Sequence, residues 1–467
     1  ILRVHGRQGD IMNEIITELL KNIPDYKQFL TLEELDESTK KLAREHPDCV
    51  SMFELGKTAE GRSILALKIG NGSKNALFFG CPHPNEPIGT MMLEHFTKAL
   101  AENKSLRDAL DYTFYIVKAW DADGLVRNEG WLKGPYTLYN YSRNFFRPAA
   151  NMQVDWTFPI DYKELHFHDI MPETQALKDL IDEIKPTFTY ALHNSGFGGV
   201  YWYVTEDVPE LYPKLREAVE HQGIPLHLGE PESPAIPVLA PAVLLAEGIE
   251  VEYDYFERFG AKNISKIISS GTCSDSYSKQ HYGTFTFLTE MPYFFDPRIA
   301  DPSVTDTTRG AAVIEKINWT TESNKRIREV LSVSAEYIGK KNPYLMAVND
   351  AIEDTGLESN RRMAEEDEEY KRLATQAEYF DNVWVSRFYR LLSYGMLIRA
   401  HEYELEREHS AAAETALLKG KAMAEALHKQ LAVELEEKFN YSVISIRKLI
   451  NIQLECGLKA AQIIHDR

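Results

Sequence analysis

The chain has 467 residues, 44% of them apolar and 26% charged, the balance of a folded, water-exposed protein of more than one small core. Its 52 basic and 71 acidic side chains give a formal charge of −19, which repels phosphate backbones and sets nucleic acid aside as a partner. No stretch approaches about 18 uninterrupted apolar residues, so neither a spanning helix nor a membrane partner is expected.

Residues 1–30 read as an N-terminal helical segment. They carry no charged leader followed by a long apolar run and a small-residue cleavage site. The four cysteines, Cys49, Cys81, Cys273 and Cys456, form no CxxC pair and are too few for a disulfide scaffold. A reducing, cytoplasmic setting is the expectation.

Residues 31–300 alternate short β-rich runs with helical stretches. SILALKIG and NALFFG are predicted strands, GTMMLEHFTKALAENKSLRDAL a helix, and YTFYIVKAW a strand. PETQALKDLIDEIK is a helix, PTFTYALH a strand, VPELYPKLREAVEHQG a helix and GTFTFLTE a strand. This alternation predicts an α/β fold: a mixed, mainly parallel sheet flanked by helices. Ligands of such sheets sit at the carboxyl ends of the strands. Of 21 prolines, 19 fall in residues 1–300 and none after Pro343. Residues 301–467 are therefore expected to form an all-α C-terminal domain, its later part four or five helices packed as hairpins. Aromatic residues there, Trp384, Phe388 and Tyr389, must be buried against the first part or against a second copy of the chain, which leaves a homo-oligomer open. The histidines after residue 400 lie among charged helical residues and are expected to be solvated.

Three predicted strand ends carry chemistry. CPHPNEP places His83 and Glu86 three residues apart after one strand. His193 ends TFTYALH, and Glu290 ends TFTFLTE. His, Glu and His make a three-ligand zinc set with room for water. Glu290 is a carboxylate suited to take that water's proton. A rival pair, His166 and His168, alternates along ELHFHDI but lacks a third strand-end ligand.

At these residues the chain resembles the carboxypeptidase A-like zinc metallocarboxypeptidases, over roughly residues 30 to 297. ELGKTAEGRSILALKIGNG is similar to the lead-in strand of that family, GCPHPNEPIG to its first metal motif, WDADGLVRNEGW to its Asn-Pro-Asp-Gly segment, ALHNS to the segment of the second His, and FTFLTEMP to that of the catalytic Glu. The resemblance implies one Zn2+ held by His83, Glu86 and His193, with Glu290 as general base and then general acid. YSRNFFRP resembles the Arg-rich segment, which implies that Arg143 polarises the scissile carbonyl, with Arg147 and Arg127 as neighbours. It implies a peptide substrate cut at an amide near its C-terminus.

Two stretches depart from the family. Where it carries an Asn-Arg pair that grips a terminal carboxylate, this chain reads QVDWTFP. Arg147 could substitute as a substrate-binding cation; otherwise no free C-terminus is required. No tyrosine stands at the place of the family's mobile Tyr, with Ile267 near it; Tyr277, Tyr282, Tyr253 and Tyr255 lie in the region. In the GTCSDS loop, Asp275 could select a basic side chain or make a local turn. Tyr201, Trp202 and Tyr203 could line a cleft or fill the core. Two other functions fit the same residues: a zinc-dependent deacylase of N-acyl amino acids, and an inactive scaffold whose helical part binds a partner.

Overall fold

The short apolar runs between prolines and glycines form a nine-stranded mixed sheet. The structure, a computed structural model, describes residues 13–353 and 356–467. In chain order the strands are β1 (Val50–Lys57), β2 (Ser63–Ile69), β3 (Lys74–Gly80), β4 (Tyr112–Val117), β5 (Phe188–His193), β6 (Tyr201–Val204), β7 (Val238–Ala240), β8 (Val243–Leu245) and β9 (Phe285–Glu290). Their order across the sheet is β1-β2-β4-β3-β5-β9-β6-β8-β7. The central four, β4, β3, β5 and β9, run parallel. The flanks add antiparallel pairs, apart from parallel β6 and β8.

The helices that matter for the site are α1 (Ile88–Glu102), α2 (Leu138–Asn144), α3 (Pro172–Ile184), α4 (Tyr212–Gln222), α5 (Ser274–Tyr282), α6 (Arg309–Ser334), α7 (Ser386–Leu405), α8 (Ala411–Lys438) and α9 (Ile446–His465). The side chains of β3 alternate between two apolar clusters. Ala76 and Phe78 join one with α1, α4 and α9, while Leu77 and Phe79 join the other with α3 and α5. Burial on both faces explains why these strands read as continuous apolar runs. The helix expected over GTMMLEHFTKALAENKSLRDAL is broken at Asn103. Its side chain accepts a hydrogen bond from Leu106 N at 3.0 Å and caps a second helix, Lys104–Leu110.

After residue 300 helices dominate, as expected, with short strand pieces at Val304–Thr308, Leu373–Thr375 and Ser442–Val443. α7 and α8 form a hairpin that also packs on α6. α9 does not join them. It lies on the sheet against α1 and α4, where Tyr190 Oη donates to Gln453 O at 2.7 Å and Tyr112 Oη to Ala461 O at 2.9 Å. One apolar cluster runs from the sheet through α9 into α7 and α8. The boundary expected at residue 300 is thus not a break in packing. Of the segment read as 1–30, residues 1–12 lie outside the described residues, residues 13–21 are helical, and Ile16, Leu19, Ile23 and Phe29 are buried in that same cluster.

Of the aromatic residues expected to be covered, Phe388 finds its place inside the chain, while Trp384 is half-buried and Tyr389 stays exposed. Phe388 is fully buried, with ring centroids 5.6 Å from Phe197 and 6.1 Å from Tyr141. Two C-terminal histidines expected to be solvated are buried instead. His401 Nδ1 faces Leu397 O and its Nε2 faces Ser334 Oγ, and His428 Nε2 lies 2.8 Å from Ser142 Oγ. Each finds a hydroxyl on a neighbouring helix, a contact invisible in the local charge pattern.

Candidate active site

The polar elbow after β3 is built by backbone constraint. Gly80 ends the strand, and Cys81 follows in the left-handed region at φ 54°, an uncommon conformation for a residue with a side chain. That bend and the prolines at 82, 84 and 87 turn the chain across the strand ends. α1 then starts hard against β5: a Cβ on Gly89 would sit 2.5 Å from Leu192 Cβ. Asn194 Oδ1 accepts from Ile88 N at 3.1 Å, fastening the helix start to the end of β5. His83 and Glu86 are thereby delivered beside His193. Across the parallel pair of β5 and β9, His193 and Glu290 stand directly opposite each other.

The four strand-end residues are all buried, with exposures between 2% and 6%. His193 has a carboxylate on each ring nitrogen, Glu86 Oε2 at 3.1 Å from Nδ1 and Asp155 Oδ2 at 3.8 Å from Nε2. Glu290 Oε1 lies 3.8 Å from Nδ1. Glu86 is held further by Arg147 Nη1 at 2.9 Å and by Asn194 N at 3.2 Å. Arg147 also donates from Nε to Gln153 Oε1 at 2.8 Å, and its guanidinium lies 5.2 Å from the Trp156 ring. That ring meets the His83 ring edge-on at 5.1 Å.

Burial, then the Arg147 and His193 charges, push His83 well below the usual imidazole range. Burial opposes protonation of His193 too, but the hydrogen bond and charge of Glu86 and the charge of Asp155 outweigh it and raise its pKa. Burial and the charges of Glu86 and Glu232 push the Glu290 carboxyl well up, against Arg147. Asp155 is raised to about 6, mainly by burial.

These residues fit a divalent cation. His83 Nδ1 and His193 Nε2 are buried with no hydrogen-bond partner. His83, Asp155 and His193 offer ligand atoms within 4.8 Å of one another, the one such group among the described residues. Two imidazoles and a carboxylate are zinc chemistry. Asp155 is the member of this group that the sequence reading left out, although it stands in QVDWTFP. Glu86, read as the third ligand, is engaged by Arg147 and His193 in this arrangement.

A cavity of about 610 Å³ opens over the cluster. Glu290, Arg147 and Asp275 line it together with His83, Glu86 and His193. Arg143 does not. It sits in the last turn of α2 and pairs with Glu402 of α7, a partner more than 250 residues away in sequence. Arg127 pairs with Glu60. Asp275 lies in the first turn of α5, accepts from Ser276 N at 2.8 Å and faces the cavity. Tyr201 and Tyr203 line the cavity while Trp202, on the opposite face of β6, is buried away from it. The hydroxyls of Tyr277 and Tyr282 are both taken by Asp182, and neither ring lines the cavity. His166 and His168 share Asp161 on an exposed hairpin apart from this cavity. The far wall comes from the helical part, with Tyr389 43% exposed and facing into the cavity.

A mixed sheet with a parallel centre and two histidines and two carboxylates gathered at its strand ends is the architecture of a metallohydrolase. The sequence model of the zinc carboxypeptidase family matches residues 35–295, and the chain belongs to that family. Mast cell carboxypeptidase A of Mus musculus is 27% identical over 168 residues, 34% of this chain and 40% of the mouse protein. Carboxypeptidase B of Canis lupus familiaris is 28% identical over 145 residues, 28% of this chain and 34% of the canine protein. The chain thus spans well under half the length of these relatives. The crystal structure of carboxypeptidase A from Helicoverpa armigera aligns with a TM-score of 0.38 at 15% identity, covering 62% of this chain and 72% of the other.

Proposed function

We propose that the chain is a zinc-dependent hydrolase of the carboxypeptidase type, which cuts an amide bond near the end of a peptide or peptide-like substrate. The observation that carries this reading is the buried cluster of His83, His193, Glu86, Asp155 and Glu290, with His83 Nδ1 left without a hydrogen-bond partner. One zinc per chain would be held by His83, Glu86 and His193, with Asp155 orienting the His193 ring. When bound, zinc polarises an amide carbonyl and lowers the pKa of water.

Glu290 takes the proton of the attacking water and returns it to the leaving nitrogen. The Arg147 guanidinium, fixed by Glu86 and Gln153, stands ready for the developing oxyanion. Arg147 takes this role in place of Arg143, whose charge is spent on Glu402. Asp275 faces the substrate side chain. Burial of the cluster keeps its electrostatics strong.

The test is Glu290→Gln in zinc-loaded protein. Hydrolysis of a blocked peptide panel should fall by about 10²–10⁴-fold, with zinc content by atomic absorption unchanged. Full activity of the variant, or protein that takes up no zinc, would end this reading.

A further inference from the structure

On the face that α9 lays on the sheet, Gln453 is followed by Gly457 and Ala461, each about one turn further on. Gly457 sets how closely the helix lies: a Cβ there would sit 2.1 Å from Tyr190 Cε1. Seated at that distance, Gln453 reaches the ends of β5 and β9. Its Nε2 lies 3.4 Å from His193 O and 3.3 Å from Thr289 Oγ1. One amide thus straddles a residue of the metal-type cluster and the residue next to Glu290. His193 and Glu290 are the last rung of the parallel ladder, and past it both chains leave the strand. The end of a ladder is where a sheet opens most readily.

Stability alone does not account for a glutamine here. Gln453 is fully buried. A buried amide costs free energy that only good hydrogen bonds return. Both bonds of Nε2 are long, and Oε1 has no partner. Neither acceptor depends on the amide. His193 O also accepts from Met291 N at 3.4 Å, and Thr289 Oγ1 also lies 3.4 Å from Tyr190 Oη. An apolar side chain of the same length would serve the packing better and orphan nothing new. What remains for the amide is the spacing of His193 and Glu290.

We propose, resting on the hydrolase reading, that Gln453 is a positioning residue. From α9 its amide ties the end of β5 to the end of β9, and so keeps the His193 ring and the Glu290 carboxylate at a fixed spacing. It acts through the His193 backbone and Thr289, without touching substrate. The working site thereby includes a helix that lies past residue 295, where the match to the zinc carboxypeptidase family ends.

Gln453→Met in the full chain keeps the length of the side chain and removes the amide. Its Tm should equal or exceed that of wild type, because an unpartnered polar atom leaves the interior. Zinc affinity, read against a chromophoric chelator, should fall at least about threefold. With zinc supplied, kcat on blocked peptides should fall at least about tenfold while KM stays within about twofold. A packing residue behaves in the opposite way. Ile450→Val, at a buried position of the same helix, should lower Tm and leave zinc affinity and kcat as in wild type. Unchanged zinc affinity or unchanged kcat in Gln453→Met overturns the proposal. So does a Tm well below wild type, or a variant too unstable to isolate. Wild-type protein that cuts none of the peptides ends the hydrolase reading instead, and the zinc and Tm comparisons still decide whether Gln453 spaces the cluster.

Discussion

His193 carries the geometry of the site in one side chain. Glu86 touches one ring nitrogen and Asp155 approaches the other, so in the proposed zinc site one carboxylate would share the metal and the other would steer the ring. If Glu86 is the ligand, Glu86→Gln should lose stoichiometric zinc, whereas Asp155→Asn should weaken zinc by about 10–100-fold and keep a filled site at high metal. Competition titration with a chromophoric chelator separates the two, and a swapped outcome would make Asp155 the ligand. The two arginines divide as clearly. Arg147→Met should lower kcat by about 10²–10³-fold. Arg143→Met breaks a part-exposed pair with Glu402 and should cost at most roughly 1 kcal/mol of stability, with kcat near wild type. The His, Glu, His and Glu residues were legible because each ends an apolar run, and a buried strand end is a poor place for an idle polar group. That Arg147 lines the cavity while Arg143 turns away from it was not legible. It depends on Glu402, which only the folded chain brings to α2.

Strands and helices near the site were readable from period and punctuation, since two-sided burial leaves runs such as ALFF and TYAL. The break at Asn103 and the buried histidines of α7 and α8 were not. His428 shows why: charged neighbours surround it in sequence, yet it faces Ser142 across the helix interface. Burial, then the Arg143 charge, depresses it to about 4, below the ordinary 6.5. A histidine that must stay neutral in the fold stabilises fully above about pH 6.5 and progressively less as pH falls toward 4. Between pH 7.5 and 5 this site should cost about 2 kcal/mol of unfolding free energy. Urea denaturation at the two pH values checks this. His428→Gln should flatten that part of the pH dependence, and an unchanged slope would show that the ring is not held neutral.

At the scale of the molecule, the helical part is a wall of the cleft as well as an appendage. A five-residue π-helix, Asp381–Val385, runs straight into α7, and such wide turns re-aim side chains. Asp381 meets His227 at 3.4 Å and accepts from Glu230 N at 2.8 Å, clamping the loop that carries Glu232. The helical character of residues 301–467 was legible from the want of proline. The destination of α9 was not, because an amphipathic helix does not announce which sheet it covers. That destination has a consequence during synthesis. The strand carrying Glu290 leaves the ribosome some 175 residues before the end of α9 at His465. At about 5–20 residues per second, roughly 10–35 s separate the two. Through that interval the rings of Tyr112 and Tyr190 await their cover, and the nascent chain leaves an apolar sheet face open to water until α9 arrives.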